Sequence, residues 1–412
     1  MPHSSSAASA AAPSPAPRIL SRRFTLLWLI QFLASIQFYL LTTIAAVYAM
    51  EQFRAGETEA GLTTTAFTVG AIIARLITGK YMEIIGRKRV LVAGSVLLAV
   101  VSAAYVPDTG LSGLLLLRLI NGAAFGVVTT IAPAAVQAVI PHQRRGEATG
   151  YFGMATTLAT AIGPAVGVAM SQSVGYDAVF WMLTALCVIS LLIVLVLDVP
   201  EVPMDEAQRT AAKKWTLSSM IETRALPVSA VMIFSGAAYS TVLAFLNAFA
   251  LEMDLAAAAG FFFLIYAATI IVTRPFLGRL QDRRGDNAVL VPAFLLFAVA
   301  MSVLAMTTTG WMLLLVGVLL GCSFGAVLTA AQTAAVKTAP LQRVGLTTST
   351  FFLCMDVGVS VGPVTLGALA PALGYRGMYF AAAIVVLVCL GYYLLVHGRR
   401  AGRGTSTQRA SV

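Results

Sequence analysis

Three observations predict an all-α polytopic membrane protein, with twelve transmembrane helices arranged as two six-helix bundles. First, the 412-residue chain is 59% hydrophobic and only 11% charged, whereas a soluble domain carries about 25% charged residues. Second, apolar runs of about 20 residues recur along the chain, long enough to cross a hydrocarbon core of roughly 30 Å. They are continuous, unlike the alternating segments of a β-barrel. Third, a charged turn at 79–91 (GKYMEIIGRKRVL) returns at 278–290 (GRLQDRRGDNAVL), 199 positions later.

In chain order, residues 1–23 form a Ser-, Ala- and Pro-rich tail that is expected to be disordered. It has no apolar core preceding a cleavage site, so no secretory signal is assigned. The spans fall near 24–50, 60–80, 89–106, 112–139, 148–170 and 177–197 in one half. In the other they fall near 226–250, 256–277, 288–307, 311–337, 345–370 and 377–397. A polar linker, 198–225, separates the bundles at 24–197 and 226–397, and a basic tail follows from 398 to 412.

Lys and Arg concentrate in alternate loops: Lys80, Arg87 to Arg89, Arg144, Arg145, Arg279, Arg283, Arg284, Lys337 and Arg343. The opposite loops hold only Arg54 and Arg376 beside several acids. By the positive-inside rule, both termini are cytoplasmic and the chain sits in the cell membrane. This pattern accounts for the net charge of +10 without a nucleic-acid partner. The four cysteines lie inside apolar runs and suit core packing. The three histidines fall in tails or loops and cluster with nothing, so no metal or cofactor site is expected, and nothing suggests an enzyme.

The offset of 199 holds without a gap. It carries Arg75 onto Arg274, Gly79 onto Gly278, Glu83 onto Asp282, Gly86 onto Gly285, Gly122 and Gly126 onto Gly321 and Gly325, and Gly163-Pro164 onto Gly362-Pro363. Each half has an even number of spans, so the halves form a parallel repeat about an axis along the membrane normal. A site would lie at their interface near mid-depth.

These motifs resemble those of the major facilitator superfamily, and within it the drug:proton antiporter branch. The first turn keeps Gly79, Gly86, Arg87 and Lys88 of the superfamily's G-x-L-a-D-r-x-G-r-k signature, with Glu83 replacing Asp. The second keeps Gly278, Leu280, Asp282, Arg283 and Gly285. RLINGAAFG resembles the fourth-span motif through Arg118, Gly122 and Gly126, and AIGPAVG resembles the antiporter motif of span five through Gly163, Pro164 and Gly167. The resemblance implies the superfamily fold and proton-coupled export of small organic molecules by a monomer in the bilayer. It also implies that Glu83 meets the start of span eleven and Asp282 the start of span five, latching the outward-facing state. The first turn has more cations after its glycine, so it is expected to hold more strongly.

Asp356 is the only carboxylate in the middle of a span, about 16 Å from the inner end of span eleven at about 1.5 Å per residue. A desolvated carboxylate can exchange a proton near neutral pH, so Asp356 is the candidate proton carrier. A structural ion pair with Arg118 or Arg75 is the alternative. Arg118 lies about 9 Å inside span four. It is a second coupling candidate, or else an arginine that snorkels to the interface. Arg75 and Arg274, one turn inward of the turn glycines, are expected either to hold the inner gate through carbonyls or acids or simply to anchor the basic face by the positive-inside rule. Gly163, Pro164, Gly362 and Pro363 are candidate bends. By the same resemblance, spans one, four, seven and ten line a cavity with Gln31, Gln37, Tyr39, Asn121, Tyr239, Asn247 and Gln332. None of these is charged, which suggests an amphiphilic, neutral-to-cationic substrate.

Other functions compete with drug export. The chain could export one specific metabolite such as a metal chelator, import a nutrient, or act as a non-transporting sensor. An ATP-driven pump is disfavoured, because no GxxxxGK[ST] phosphate loop occurs.

Overall fold

In the computed structural model, residues 19–201 and 216–398 are described. The N-terminal tail to residue 18, the middle of the linker at 202–215 and the basic tail from 399 lie outside them. Twelve long helices are found among the described residues. The first six are α1 (Arg22–Phe53), α2 (Glu57–Ile85), α3 (Arg87–Ala103), α4 (Gly110–Val139), α5 (Arg145–Ser173) and α6 (Tyr176–Val196). The second six are α7 (Val231–Glu252), α8 (Ala256–Arg284), α9 (Asn287–Ala305), α10 (Gly310–Lys337), α11 (Val344–Thr365) and α12 (Ala370–Tyr393).

Local chemistry sets the helix ends. The Ser21 hydroxyl accepts from Phe24 N at 3.2 Å and starts α1. Helices α2 and α8 stop at Gly86 (φ +106°) and Gly285 (φ +85°), a backbone region open to glycine but strained for other residues. The sequence boundaries shift in two places. Span seven is preceded by a separate turn, Leu226–Ser229. Span eleven ends at Thr365, two residues after Pro363, and passes through a short turn, Gly367–Leu369, into α12, which is kinked at Gly374. By contrast, α5 continues through Pro164 to Ser173.

Each half buries its own core. The first half packs around residues such as Phe24, Phe67, Phe125, Tyr48 and Phe180, and the second around Phe249, Phe262, Phe294, Phe297 and Tyr379. Large apolar side chains such as Leu192, Val272, Phe276, Val388 and Leu395 remain outside. On a water-soluble protein they would be a liability, whereas in lipid they face their natural solvent. The halves meet mainly through α2 against α11 and α5 against α8. These contacts gather at the end of the bundle that carries the charged turns, called the basic end below.

Candidate functional site

The basic end is closed by close backbone packing. Gly278 sits on α5 so tightly that a Cβ there would lie 2.5 Å from Gly146 O, and a Cβ on Gly146 would lie 2.7 Å from Gly278 O. Glycine at both positions lets α5 and α8 touch. In the other crossing, Gly79 of α2 lies against the Ser349 side chain of α11, and the Ser349 hydroxyl donates to Arg75 O at 2.6 Å.

The charged turns sit on these crossings. Asp282 accepts from Gly146 N at 2.8 Å and from Glu147 N at 3.0 Å, at the positive end of α5. Beside it, Arg279 donates to Glu147 at 2.8 Å, adding a second link between the halves, and Glu147 is also held by Arg144. At the first turn Glu83 comes up against the Gly345 N–H at the start of α11. Its carboxylate is also gripped by Arg87, with Nε at 3.0 Å and Nη2 at 2.5 Å.

The sequence expects the first turn to hold more strongly, whereas the second turn makes more bonds between the halves. In the first turn, Arg87 and Lys88 bond to their own half and the start of the linker. Arg87 is fully buried and also reaches the carbonyls of Ala134 and Pro200. Lys88 donates to the carbonyls of Val194, Leu195 and Leu197 at the end of α6.

The ends of the linker are docked. Glu201 accepts from Arg87 N at 2.8 Å and Lys88 N at 2.9 Å, capping α3. Glu222 is fully buried, bonds Arg343 at 2.6 Å, and its N–H donates to Thr350 of α11. The histidine expectation also needs correcting. His397 lies 3.2 Å from Asp286, which Lys337 holds at 2.9 Å and Gln281 at 2.9 Å. The chain's return at its end creates this cluster, from residues about 50 and 110 positions apart in sequence. Burial alone would raise the Asp286 carboxyl, but His397, Lys337 and Gln281 together hold it down at about 2. Arg283 lies in the last turn of α8. Among the described residues, no three His, Cys, Asp or Glu side chains gather into a metal-binding group.

Deeper in, Arg75 of α2 and Asp356 of α11 form an ion pair at 2.6 Å, with side chains 3% and 16% exposed. Arg75 also donates to Thr130 at 3.2 Å and lies over the Phe352 ring at 5.1 Å. The partner of Asp356 is thus Arg75 of the opposite half, and not Arg118. Arg118 is fully buried and does not reach the interface: it donates to Thr63 O at 3.1 Å and Thr42 at 3.3 Å and lies over Phe67. The matching Arg274 departs from the expectation of bound carbonyls or acids, since its Nε and Nη1 have no hydrogen-bond partner despite burial. Helix packing decides this, because the facing segment of α5 offers no acid there.

The cavity candidates divide. Gln31 is buried and bonds Ser35 and Thr156, leaving its Oε1 free. Gln37 and Asn121 are fully buried with unpartnered amides, and Gln332 leaves Nε2 free. Tyr239 stacks on Phe324 at 4.0 Å and on Tyr266 at 5.8 Å. Tyr39 packs against Phe38 and against the α5 crossing at Gly163. Asn247 is exposed near the far end of α7, apart from these groups. At Gly362, a Cβ would lie 2.3 Å from Ala237 O, so glycine there lets α11 pack on α7.

The sequence reasoning missed Glu147, Glu201, Glu222, Asp286, Thr130 and Tyr266. The repeat alone pairs Thr130 with Thr329 and could have flagged that position. The linker and turn acids carry no periodic signal.

A family sequence model described as Major Facilitator Superfamily matches residues 27–291 and 228–411. An uncharacterized MFS-type transporter of Methanocaldococcus jannaschii is 25% identical over 390 residues, covering 92% of this chain and 99% of that relative. Multidrug resistance protein MdtG of Enterobacter lignolyticus is 24% identical over 384 residues, covering 91% and 92%. Among solved structures, the human organic anion transporter MFSD10 (TETRAN) aligns with a TM-score of 0.76 at 16% identity, covering 92% of this chain and all of that one. FucP in its outward conformation aligns with a TM-score of 0.74 at 16% identity, covering 92% and 99%.

Proposed function

The chain belongs to the Major Facilitator Superfamily, and from that premise we propose a secondary active transporter that couples protons to the export of small organic molecules by alternating access. The observation that carries this reading is the Arg75–Asp356 pair. It joins one bundle to the other at mid-depth, and Asp356 is the one carboxylate inside a span at that level. Protonation removes its charge and with it the attraction to Arg75, so the bond between halves weakens when a proton is bound. A buried pair that loses one charge is destabilised by about 3–5 kcal/mol, enough to move a two-state equilibrium by more than a hundredfold.

The turns supply the other part of the cycle. Asp282 on the α5 start and Glu83 at the α11 start hold the basic end shut. Opening requires these bonds to break while the opposite end closes. The glycine crossings permit such sliding, because no side chain interlocks the helices at Gly146 and Gly278. In the proposed orientation the basic end and both termini are cytoplasmic, and the closed basic end corresponds to an outward-facing state. The export direction draws on the multidrug relatives and on the Gly163-Pro164 motif.

The test is transport in proteoliposomes under an imposed pH gradient. Asp356→Asn should reduce gradient-driven substrate movement to background while leaving substrate-for-substrate exchange measurable. Intact gradient-driven transport in that variant would remove Asp356 from the coupling scheme.

A further inference from the structure

Each half carries one arginine a turn inward of its charged loop, and the offset of 199 lays the two surroundings over one another. Arg75 has four named neighbours: the Asp356 carboxylate, the Phe352 ring, the Thr130 hydroxyl and the Ser349 hydroxyl. The matching positions around Arg274 are Thr157, Gly153, Thr329 and Gly150. The threonine is kept. The carboxylate, the ring and the second hydroxyl have become Thr, Gly and Gly.

The correspondence is spatial as well as sequential. A Cβ on Gly153 would lie 2.5 Å from Arg274 Nη1 and 3.2 Å from Thr329 Cγ2, and one on Gly150 would lie 3.1 Å from Arg274 O. The Thr157 hydroxyl turns back to Gly153 O at 3.3 Å. Arg274 is 3% exposed, and its Nε and Nη1 donate to nothing. Three phenols, Tyr39, Tyr239 and Tyr266, lie around it. Gln31, which bonds Thr156 beside Thr157, and Gln332, three residues from Thr329 on α10, also keep free polar atoms, Oε1 and Nε2. A buried guanidinium without an anion is costly, and within a membrane span it is functional by default.

We propose that Arg274 receives the anionic group of the transported substrate, and that this substrate is an organic carboxylate with a flat apolar body. Such a ligand supplies to Arg274 what Asp356 and Phe352 supply to Arg75: a carboxylate on the guanidinium edge and a ring against its face. At 153 the twin's phenylalanine is replaced by a glycine on which the Arg274 guanidinium packs directly, so the ring that covers Arg75 has no counterpart at that position. The inference rests on the transporter reading and deepens it, replacing the neutral-to-cationic substrate expected from the cavity residues.

The full-length protein in lipid nanodiscs tests it, with 1-naphthoate and benzoate compared against the matched 1-naphthamide and benzamide. The carboxylates should bind at least about tenfold more tightly than the amides, as expected for a charge-assisted pair. Arg274→Gln should abolish that preference and Arg274→Lys should retain part of it. Thr157→Asp should abolish it in a folded protein, because the new carboxylate pairs internally with Arg274 as Asp356 does with Arg75. Failure of 1-naphthoate and benzoate to bind wild-type protein, or a preference unchanged in both Arg274→Gln and Thr157→Asp, overturns the proposal.

Labelled 1-naphthoate in proteoliposomes separates this site from the transporter reading. Arg274-dependent binding without movement across the membrane leaves the site standing and removes transport. Movement at an undiminished rate in Arg274→Gln removes the site and leaves transport standing.

Discussion

The turn at 79–91 and the turn at 278–290 start from one repeated sequence and send their charges to different places. In the first, Arg87 and Lys88 close on their own half, and Glu83 divides its carboxylate between Arg87 and the α11 start. In the second, Asp282 is committed to two α5 backbone N–H groups, and Arg279 crosses to Glu147. One level deeper the asymmetry inverts. The first half's Arg75 is bound across the interface by Asp356, and the second half's Arg274 is left without an anion. A duplicated bundle is thus bonded across its interface mainly at one turn and at one arginine, and its other arginine is left without an anion. Strict symmetry would give two locks that must open together. In the proposed cycle, divergence would let one arm respond to a proton while the other responds to a ligand.

The largest expected effect is at the paired arginine. Arg75→Gln leaves Asp356 buried and uncompensated, and should lower stability by about 3 kcal/mol, measured by thermal or denaturant unfolding in detergent. Arg274→Gln should cost far less or stabilise, because no internal pair is lost. Equal losses at the two arginines would break the comparison.

Next come the turn acids. Asp282→Asn removes the charge from two backbone bonds, each worth about 1.5–3 kcal/mol, and should open the basic end in spin-label distance distributions between α5 and α8. Glu83→Gln should shift the α2–α11 distances less. A larger shift from Glu83→Gln would restore the order expected from the sequence.

A smaller effect, confined to acid, belongs to Asp286. Its folded carboxyl sits at about 2, below the ordinary value near 3.9. A lowered carboxylate stabilises above the unfolded value, and that stabilisation disappears as pH falls through the folded one. Hydrogen exchange at residues 394–398 should therefore rise between about pH 4 and pH 2, a loss on the order of 2 kcal/mol. In Asp286→Asn the same segment should show no such acid step.

The smallest effect is at Arg279. Its side chain is 48% exposed and solvent screens the pair, so Arg279→Ala should leave the unfolding midpoint nearly unchanged, and Asp282 should keep the basic end closed in the same spin-label measurement.

Much of the frame was legible in the sequence. Runs of apolar residues fix helices in lipid because no other local structure satisfies the backbone there. The offset of 199 gave the paired glycines, and these are the residues at which helices touch in the structure. Asp356 stood out by depth alone. Glu201 and Glu222 did not, since acids in a polar linker look solvated until the linker folds back onto α3 and α11. Nor did the Asp286–His397 contact, which spans 111 positions.

The sequence by itself determined that the chain is helical, membrane-embedded and duplicated, and it placed an arginine and an acid at equivalent depths in each copy. Those properties are local or periodic, and hydropathy and spacing carry them. Only the tertiary structure decided which charge each residue meets. Ion pairs and hydrogen bonds are set by distances of a few ångströms between side chains far apart in the chain. Arg75 faces a carboxylate 281 positions away, and Arg274 faces a glycine, because the two halves diverged on the helices that oppose them.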